Sequence, residues 1–289
     1  MTKSAPKPYA EVIGDPISQS KSPLIHRFWL EQIGIDASYL AHRVSPSELQ
    51  EYLRQRRQDP NWRGCNVTMP LKLSIPPLLD AIEPHAKAIG AVNTVYRGES
   101  GDLIGTNTDV EGFLEPLSDV LASQHLFRMA RIVGTGGAAR AIIAGLAQHG
   151  FTLVVAGRNP SKARALLDEL APEGEHYTAP LDHFAEQTDF AFHDREGCLD
   201  LVVNASPLGM TGQPPLTFDM SHAPPSSIVY DIVTDPEETP FLRAAEDSDF
   251  RTIGGMAMLV GQAATAFERL FGQKPPRDLD GELYEKLRA

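Results

Sequence analysis

A glycine-rich turn between a short apolar strand and a long helix is the feature that most limits what this chain can fold into. The turn is Gly134-Thr135-Gly136-Gly137-Ala138-Ala139, which reads G-x-G-x-x-A. Residues 131–133 predict a strand before it, and residues 136–149 predict a helix rich in small residues after it. This order predicts a parallel α/β unit that binds a dinucleotide. The alternative is an ordinary strand-to-helix turn without a ligand.

Each position of the turn has a physical reason in such a unit. Gly134 permits the tight turn, Gly136 lets the backbone approach a pyrophosphate, and Ala139 keeps the helix close to the sheet. The free N–H groups and the positive dipole at the helix N-terminus favour phosphate. The predicted cofactor-binding positions of this turn are Gly134, Gly136, Gly137 and Ala138.

The residues that follow the next predicted strand, 151–156, indicate whether such a site prefers NADP or NAD. An NAD site usually has an acidic residue there for the ribose 2′-hydroxyl, and the segment Gly157–Lys162 contains none. Arg158 and Lys162 are instead suited to bracketing a 2′-phosphate, which favours NADP as the cofactor. The alternative is a surface arginine and a lysine on an exposed helix face.

The length of 289 residues suggests about two domains, and the pattern of predicted elements starts again near Val110. Strands alternate with helices in both halves, which predicts an α/β fold. In the first half we expect strands at 9–14, 37–42, 65–68, 91–96 and 103–106, and helices at 23–32 and from Ser45 to about Arg57. In the second half we expect strands at 131–133, 151–156, 199–203 and 228–231, and helices at 110–121, 136–149, 161–170, 258–271 and 279–287. Residues 172–198 predict only loops and short elements.

Composition excludes several classes of protein. The net charge of −12 is carried by residues 110–289, and the arginines at 54, 56 and 57 read as a solvated helix face, which argues against nucleic-acid binding. No run of about 18 apolar residues or secretory signal is present, so we expect a soluble, cytoplasmic protein without a membrane partner. Cys65 and Cys198 are far apart and the nine histidines form no ligand motif, so no metal is predicted. The sequence leaves monomer and homodimer open.

Four segments of the first half place short polar side chains where predicted strands end. Loops at the carboxyl ends of strands are where α/β proteins bind ligands. Ser, Thr, Asn and Lys together suit a small ligand with several hydroxyls and a carboxylate, although each residue alone is more often a cap or a turn former. The segments are residues 14–23, 66–72, 90–94 and 105–109.

The chain resembles the shikimate dehydrogenases over nearly its whole length. The order and spacing of the matching segments make a chance match unlikely. They are GDPISQSKSPLIH (14–26), NVTMPLK (66–72), GAVNT (90–94), NTD (107–109), GTGGAAR (134–140), residues 158–162, VNASPLGM (203–210) and MLVGQ (258–262).

This resemblance implies a mixed-sheet α/β substrate domain at 1–109, completed by helices at 255–289, and a Rossmann-type doubly wound NADP domain at 110–254. It implies reversible NADP-linked reduction of 3-dehydroshikimate to shikimate, a step of chorismate and aromatic amino acid biosynthesis. It also implies roles for individual residues. Lys72 and Asp109 would be catalytic, Ser20 and Ser22 would bind the substrate carboxylate, Thr68, Asn93, Asp109 and Gln262 would bind its hydroxyls, and Gly255 would lie near the nicotinamide.

Four positions depart from the family's usual pattern. Gln19 replaces a His, Thr234 replaces a Tyr whose hydroxyl helps bind the substrate carboxylate, Gly254 replaces an Asp, and Gly157 stands where Asn is common. These changes leave two alternatives open: a quinate/shikimate dehydrogenase-like paralogue acting on another cyclic hydroxy acid, and a non-catalytic regulator that binds NADP or a metabolite. The absence of an acidic residue at 157–162, and Ser22 in place of Thr, argue against quinate; the presence of Lys72 and Asp109 argues against the regulator.

Overall fold

The computed structural model describes residues 7–192 and 195–288. The chain divides into two compact units: Met1–Thr108 with Val260–Ala289, and Asp109–Leu259. The sequence predicts domain boundaries after residues 109 and 254, so the second division lies five residues further along than predicted. It falls inside the long helix Gly255–Phe271, whose first residues belong to the second unit.

Twelve strands and ten helices make up the described chain. The strands are β1 (Tyr9–Gly14), β2 (Ser38–Arg43), β3 (Trp62–Val67), β4 (Ala81–Ile82), β5 (Thr94–Arg97), β6 (Leu103–Thr106), β7 (Phe127–Val133), β8 (Thr152–Gly157), β9 (Tyr177–Pro180), β10 (Cys198–Asn204), β11 (Ile228–Asp231) and β12 (Arg251–Ile253). The helices are α1 (Ser22–Gln32), α2 (Leu49–Gln58), α3 (Pro84–Ile89), α4 (Asp109–Leu114), α5 (Ser118–Ala122), α6 (Gly137–Gln148), α7 (Pro160–Leu170), α8 (Pro240–Glu246), α9 (Gly255–Phe271) and α10 (Asp280–Arg288).

The first unit is built on a mixed six-stranded sheet in the order β2-β1-β3-β5-β6-β4. β1 lies parallel to β2 and β3, whereas β5 is antiparallel to β3 and β6. Gly98 and Gly101 between these strands predict a turn that joins a hairpin or an adjacent pair, and the structure has an antiparallel hairpin of β5 and β6. A buried cluster that includes Trp62, Leu71 and Val95 packs on this sheet.

The second unit is built on a six-stranded sheet in which every pair is parallel, in the order β12-β11-β10-β7-β8-β9. In order of appearance along the chain this is 3-2-1-4-5-6 read from β9, the order of a doubly wound dinucleotide fold. Apolar clusters cover the sheet, one around Ile132 and Val203 and one around Val133 and Val202. The predicted fold class, a mixed-sheet α/β unit plus a Rossmann-type unit, is confirmed.

The predicted elements differ from the observed ones mainly where proline or short strands intervene. The helix predicted over 110–121 is interrupted by a 3-10 turn at Glu115–Leu117, because Pro116 has no N–H to donate. The sequence does not predict the short elements β4, β12, α3 and α8, since strands of two or three residues and helices of six or seven carry too few positions to show a period. The short strand β9 lies in the segment 172–198, where loops and short elements are expected. Part of the segment predicted as loop, His193 and Asp194, lies outside the described residues.

The spacing of Ser45-Pro46-Ser47-Glu48 predicts a capping box, and the start of α2 differs from it. Glu48 does accept the backbone N–H of Ser45 at 2.9 Å, but the Ser45 hydroxyl bonds that same carboxylate at 2.6 Å instead of capping the helix. Helix α2 therefore begins at Leu49. Of the three arginines expected on its solvated face, Arg56 instead pairs with the buried carboxylate of Glu11 at 2.7 Å, so this part of the expectation is wrong.

Within residues 7–192 and 195–288 no helix has the length and apolar character to cross a membrane. The same residues contain no group of three or more His, Cys, Asp or Glu arranged to hold a metal ion.

Candidate active site

In the first unit, backbone hydrogen bonds hold the loop after β1 against the loop after β3. Thr68 donates its N–H to Ile13 at 2.9 Å, and Asp15 donates to the Met69 carbonyl at 3.1 Å. Gly14 makes the approach possible, because a Cβ there would lie 2.5 Å from the Thr68 side chain and 2.7 Å from the Met69 carbonyl. The polar segments 14–23 and 66–72 therefore meet at the carboxyl edge of this sheet.

The segment after β1 leads into the N-terminus of α1, where Ser20, Lys21 and Ser22 follow one another. Ser22 is buried, and its N–H donates to the Ser20 hydroxyl at 3.4 Å, whereas Lys21 donates to the Leu287 carbonyl at 2.9 Å. The first turn of α1 has no acidic residue, and its N-cap residue Lys21 makes no side-chain capping hydrogen bond. The helix dipole and the Ser20 and Ser22 hydroxyls at this end favour an anionic group such as a carboxylate.

Asn93 is the centre of a buried hydrogen-bond network in the first unit. Its Oδ1 accepts the N–H of Thr108 at 2.9 Å and the hydroxyl of Thr94 at 3.1 Å. Its Nδ2 donates to the Thr108 hydroxyl at 2.9 Å and, at the longer distance of 3.4 Å, to Oε1 of Gln262. The network thus joins two of the predicted substrate-binding residues, Asn93 and Gln262, through direct contact.

The network continues through residues that the sequence analysis did not assign to the site. Asn66 donates to the Thr94 hydroxyl at 2.9 Å and accepts from the Tyr39 hydroxyl at 2.5 Å. The Tyr39 ring stacks on His26 with centroids 3.9 Å apart. Burial lowers the pKa of His26 to about 3, so its ring is neutral and serves as an apolar support for Tyr39. Such contacts between distant segments leave no local signal in the sequence.

Lys72 lies in the 3-10 turn Leu71–Leu73 that follows Thr68. Its carbonyl accepts the N–H of Val92 at 3.0 Å, which ties it to the neighbour of Asn93. Asp109 follows Thr108 directly and begins α4 in the second unit. Of the predicted substrate and catalytic residues, the first unit therefore contains Ser20, Ser22, Thr68, Lys72, Asn93 and Gln262.

In the second unit, the glycine-rich turn lies between β7 and α6, beside the point where the strand order reverses. Gly134 adopts a φ of +131°, and a Cβ there would lie 2.5 Å from the Ala205 carbonyl oxygen. Gly136 has an ordinary φ of −91°, and no described atom lies within 4 Å of a Cβ built on it. Gly134 is therefore needed for the fold of the turn, whereas the space at Gly136 is open for a ligand.

The groups around this turn fit a phosphorylated dinucleotide. Gly137 and Ala138 form the first turn of the twelve-residue helix α6, which has no acidic residue there. At the end of β8, Arg158 and Lys162 are both exposed, and Asn159 caps α7 by accepting the Lys162 N–H at 3.2 Å. Two cations next to a helix N-terminus suit the 2′-phosphate of NADP.

Gly255 begins α9 and approaches the loop after β11. A Cβ at this position would lie 2.3 Å from the Val233 carbonyl oxygen, so only glycine fits without movement of the backbone. Thr234, the position where the family usually has Tyr, is half-buried in that loop. The predicted cofactor-binding residues Gly134, Gly136, Gly137, Ala138, Arg158, Lys162 and Gly255 all lie in the second unit.

Three protein-family models match parts of the chain. Residues 12–95 match the family model described as the shikimate dehydrogenase substrate binding domain, and residues 255–279 match that of the shikimate 5′-dehydrogenase C-terminal domain. Residues 130–192 match a model described as NADP oxidoreductase, coenzyme F420-dependent. The chain is 45% identical to the shikimate dehydrogenase (NADP(+)) of Sphingopyxis alaskensis over 98% of its own length and 97% of that protein.

The chain belongs to the shikimate dehydrogenase family. Among solved structures, that of the Thermus thermophilus shikimate 5-dehydrogenase in complex with NADP(H) and shikimate is 32% identical, with a TM-score of 0.78 over 97% of this chain and 99% of that one. The quinate dehydrogenase of Corynebacterium glutamicum in complex with NAD is 29% identical, with a TM-score of 0.77 over 97% and 99% of the two chains. The resemblance identified from the motifs is therefore confirmed.

The contrast between the two glycines gives a test of the dinucleotide site in this family member. We expect Gly136→Ala to keep the thermal stability of the wild-type protein, because its backbone is in a region open to alanine and the added methyl meets no described atom. The same methyl would occupy the space of a pyrophosphate, so NADP⁺ affinity measured by calorimetry should fall by about tenfold or more.

Gly134→Ala is the matched control, because it should lower the melting temperature through its positive φ and its clash with Ala205. Unchanged NADP⁺ affinity in Gly136→Ala would mean that no ligand approaches the turn.

Proposed function

We propose that this protein is an NADP-dependent shikimate dehydrogenase, which catalyses the reversible reduction of 3-dehydroshikimate to shikimate. The observation that carries the proposal is the 45% identity, end to end, to a relative named shikimate dehydrogenase (NADP(+)). The geometry of each unit supports it, since the first presents an anion-binding helix end and a hydroxyl-binding amide network, and the second presents a dinucleotide turn.

The carboxylate of the substrate would bind at the N-terminus of α1. Ser20 and Ser22 supply hydroxyl donors there, and the first turn of the helix carries no acidic residue that would repel an anion. Lys21 adds a positive charge close by, although its side chain is held by the Leu287 carbonyl. The carboxylate therefore fixes one end of the substrate ring by charge-assisted hydrogen bonds.

The ring hydroxyls would bind to Thr68, Asn93, Gln262 and Asp109. The bond from Asn93 to Gln262 is long, at 3.4 Å. A substrate hydroxyl can replace this bond at a lower cost than the bonds of 2.9 Å to Thr108, because a long hydrogen bond contributes little. The rest of the network would hold the Asn93 amide in one orientation while the substrate binds.

Lys72 would transfer the proton of the reaction. When bound, the reduced nicotinamide supplies the hydride. As hydride reaches the ketone carbon, the Lys72 ammonium donates a proton to the ketone oxygen, which becomes the new hydroxyl, and the neutral amine regains a proton from solvent. The resemblance to the family implies that Asp109 takes part in this step together with Lys72.

NADP is favoured over NAD by the cations at the end of β8. Arg158 and Lys162 are exposed and available to a 2′-phosphate, and the segment 157–162 contains no acidic residue to accept the 2′-hydroxyl of NAD. This feature also argues against the second candidate, a quinate-type dehydrogenase, whose solved relative was obtained with NAD.

We place this activity in the cytoplasm, in chorismate and aromatic amino acid biosynthesis, with a monomer or a homodimer as the working form. Both cysteines are free thiols, Cys65 buried and Cys198 partly exposed, which fits a reducing compartment.

The proposal is tested by mixing purified protein with shikimate and NADP⁺ and following the absorbance of the reduced nicotinamide. We expect fast reduction with this pair, and slow or no reduction when NAD⁺ or quinate replaces either partner. Faster turnover of quinate would assign the chain to the paralogue alternative. Tight NADP⁺ binding without turnover of either acid would favour a non-catalytic regulator.

Replacing Lys72 tests the proton-transfer role. Lys72→Met keeps the length of the side chain but removes the acid, so we expect kcat to fall by about 10²–10⁴-fold while the Kd of shikimate changes little. Lys87→Met, an exposed position on α3, is the matched control and should leave both constants unchanged. Retained turnover in Lys72→Met would remove Lys72 from the mechanism.

Replacing Arg158 tests the choice of cofactor. Arg158→Ala should raise the Kd of NADP⁺ by about 10- to 100-fold, as expected for the loss of a charged hydrogen bond, and change the Kd of NAD⁺ little. The control is Arg164→Ala on α7, where the guanidinium pairs with Asp168 at 2.8 Å. An equal loss for both cofactors would contradict the 2′-phosphate contact.

A further inference from the structure

A buried carboxylate lies at the carboxyl end of β11 and has no role in the chemistry described above. The Asp231 side chain is fully buried and accepts three hydrogen bonds. Oδ1 accepts from Asn204 Nδ2 at 3.0 Å and from the N–H of Val233 at 3.0 Å, and Oδ2 accepts from the Thr239 hydroxyl at 2.7 Å. In the described chain its hydrogen-bond partners are these three neutral donors, and Asp231 forms no ion pair there.

The first partner, Asn204, ends β10 and organises the loop that follows it. Its second amide hydrogen goes to the Leu208 carbonyl at 2.9 Å, and its Oδ1 accepts both the N–H and the hydroxyl of Ser206 at 3.1 and 2.7 Å. The Ser206 hydroxyl in turn accepts the N–H of Leu208 at 3.2 Å. Asp231 thus orients the Asn204 side-chain amide, and this amide in turn holds residues 205–208 in place.

The other two partners belong to the loop after β11. The bond to Val233 sets the path of the chain as it leaves the strand, and Thr239 also caps α8 by accepting the Leu242 N–H at 3.2 Å. A backbone bond of 2.8 Å from Thr211 to Asp235 joins this loop to the one after β10. One carboxylate therefore holds both loops.

The two loops lie where the second half of a dinucleotide binds. In a doubly wound sheet each half of the strands binds one mononucleotide at its carboxyl edge, and β10–β12 form the half that follows the glycine-rich turn. The loops also contact the glycines assigned to the cofactor: Gly134 approaches the Ala205 carbonyl, and Gly255 approaches the Val233 carbonyl, each too closely for a Cβ.

We propose that Asp231 is a positioning residue for the nicotinamide half of the dinucleotide, acting through residues 205–208 and 232–239 rather than by touching the ligand. The inference rests on the proposed NADP-linked function. Its physical basis is that a buried acceptor with three donors is costly to leave incomplete, so the two loops keep one arrangement before the ligand binds.

The test compares NADP⁺ with adenosine 2′,5′-bisphosphate, which lacks the nicotinamide, its ribose and the phosphate attached to that ribose. NADP⁺ contacts both halves of the site, whereas adenosine 2′,5′-bisphosphate contacts only the half at β7–β9. In Asp231→Ala we expect the Kd of NADP⁺ to rise by about tenfold or more, while the Kd of adenosine 2′,5′-bisphosphate stays within about twofold, as measured by calorimetry below the melting temperature.

Asp231→Asn provides the rescue. Its Oδ1 can keep the bonds from Asn204 and Val233, and its Nδ2 can donate to the Thr239 hydroxyl, so the ratio of the two Kd values should return close to that of the wild type. Thr239→Val is the milder second variant if Asp231→Ala does not fold, because it removes one donor and the α8 cap and should raise the same ratio. Asp200→Ala is the control: it removes a buried carboxylate of β10 that pairs with Arg131, away from the carboxyl end of the strand.

A melting temperature lowered in all variants, with the ratio of Kd values unchanged in Asp231→Ala and Thr239→Val, would overturn the inference and leave Asp231 a purely structural residue. Equal weakening of both ligands would overturn it as well, since the effect would not be confined to the nicotinamide half. If the wild-type protein bound neither ligand, the proposed function itself would fail, and this inference with it.

Discussion

The close approach of the glycine-rich turn to the end of the neighbouring strand is the constraint on which the second unit depends. The backbone at Gly134 lies so near Ala205 that a Cβ at this position would clash with the Ala205 carbonyl oxygen. Ala205 also donates its N–H to the Val133 carbonyl at 2.7 Å. This contact joins β7 to β10 where the strand order reverses. It also sets where α6 begins, and therefore where its free N–H groups point.

In both units a buried hydrogen-bond network keeps polar groups at a sheet edge ordered without a ligand. In the first unit the buried amide of Asn93 does so with neutral partners, Thr94, Thr108 and Gln262. In the second unit the carboxylate of Asp231 does so, and burial raises its pKa while its hydrogen bonds oppose that rise. Networks of this kind limit the side chains to one arrangement, which reduces the ordering that ligand binding has to supply.

The predictions from the sequence were accurate where the pattern is local. The glycine-rich turn, the parallel strands around it and the hairpin between β5 and β6 each follow from a few neighbouring residues, and the structure has them. The contact between Asn66 and Tyr39, 27 residues apart, has no such signal. The same holds for the bond between Thr239 and Asp231, because a threonine before Pro240 reads simply as a helix cap.

The ion pair between Arg56 and the buried Glu11 shows why a charge pattern alone can mislead. Its two neighbours in the cluster, Arg54 and Arg57, pair with exposed carboxylates, as expected for a solvated face. Arg56 differs because the residue it reaches, Glu11, is on the inner strand β1, and no feature of α2 itself indicates that partner. A buried carboxylate needs a partner, so this arginine is half-buried against Glu11 rather than on a solvated face.

Two departures from the family pattern, Gln19 and Thr234, lie in loops whose backbone is held by other residues. Gln19 is exposed, and its loop is held by the bond from Ser20 to the Ile17 carbonyl and by the contacts of Gly14. Thr234 lies in the loop held by Asp231 and by the bond from Thr211 to Asp235. Exchanging the side chains at 19 and 234 therefore alters which groups project from these loops and leaves the loops in place. Any difference in substrate preference from the rest of the family should accordingly follow from the size and hydrogen bonding of these two side chains.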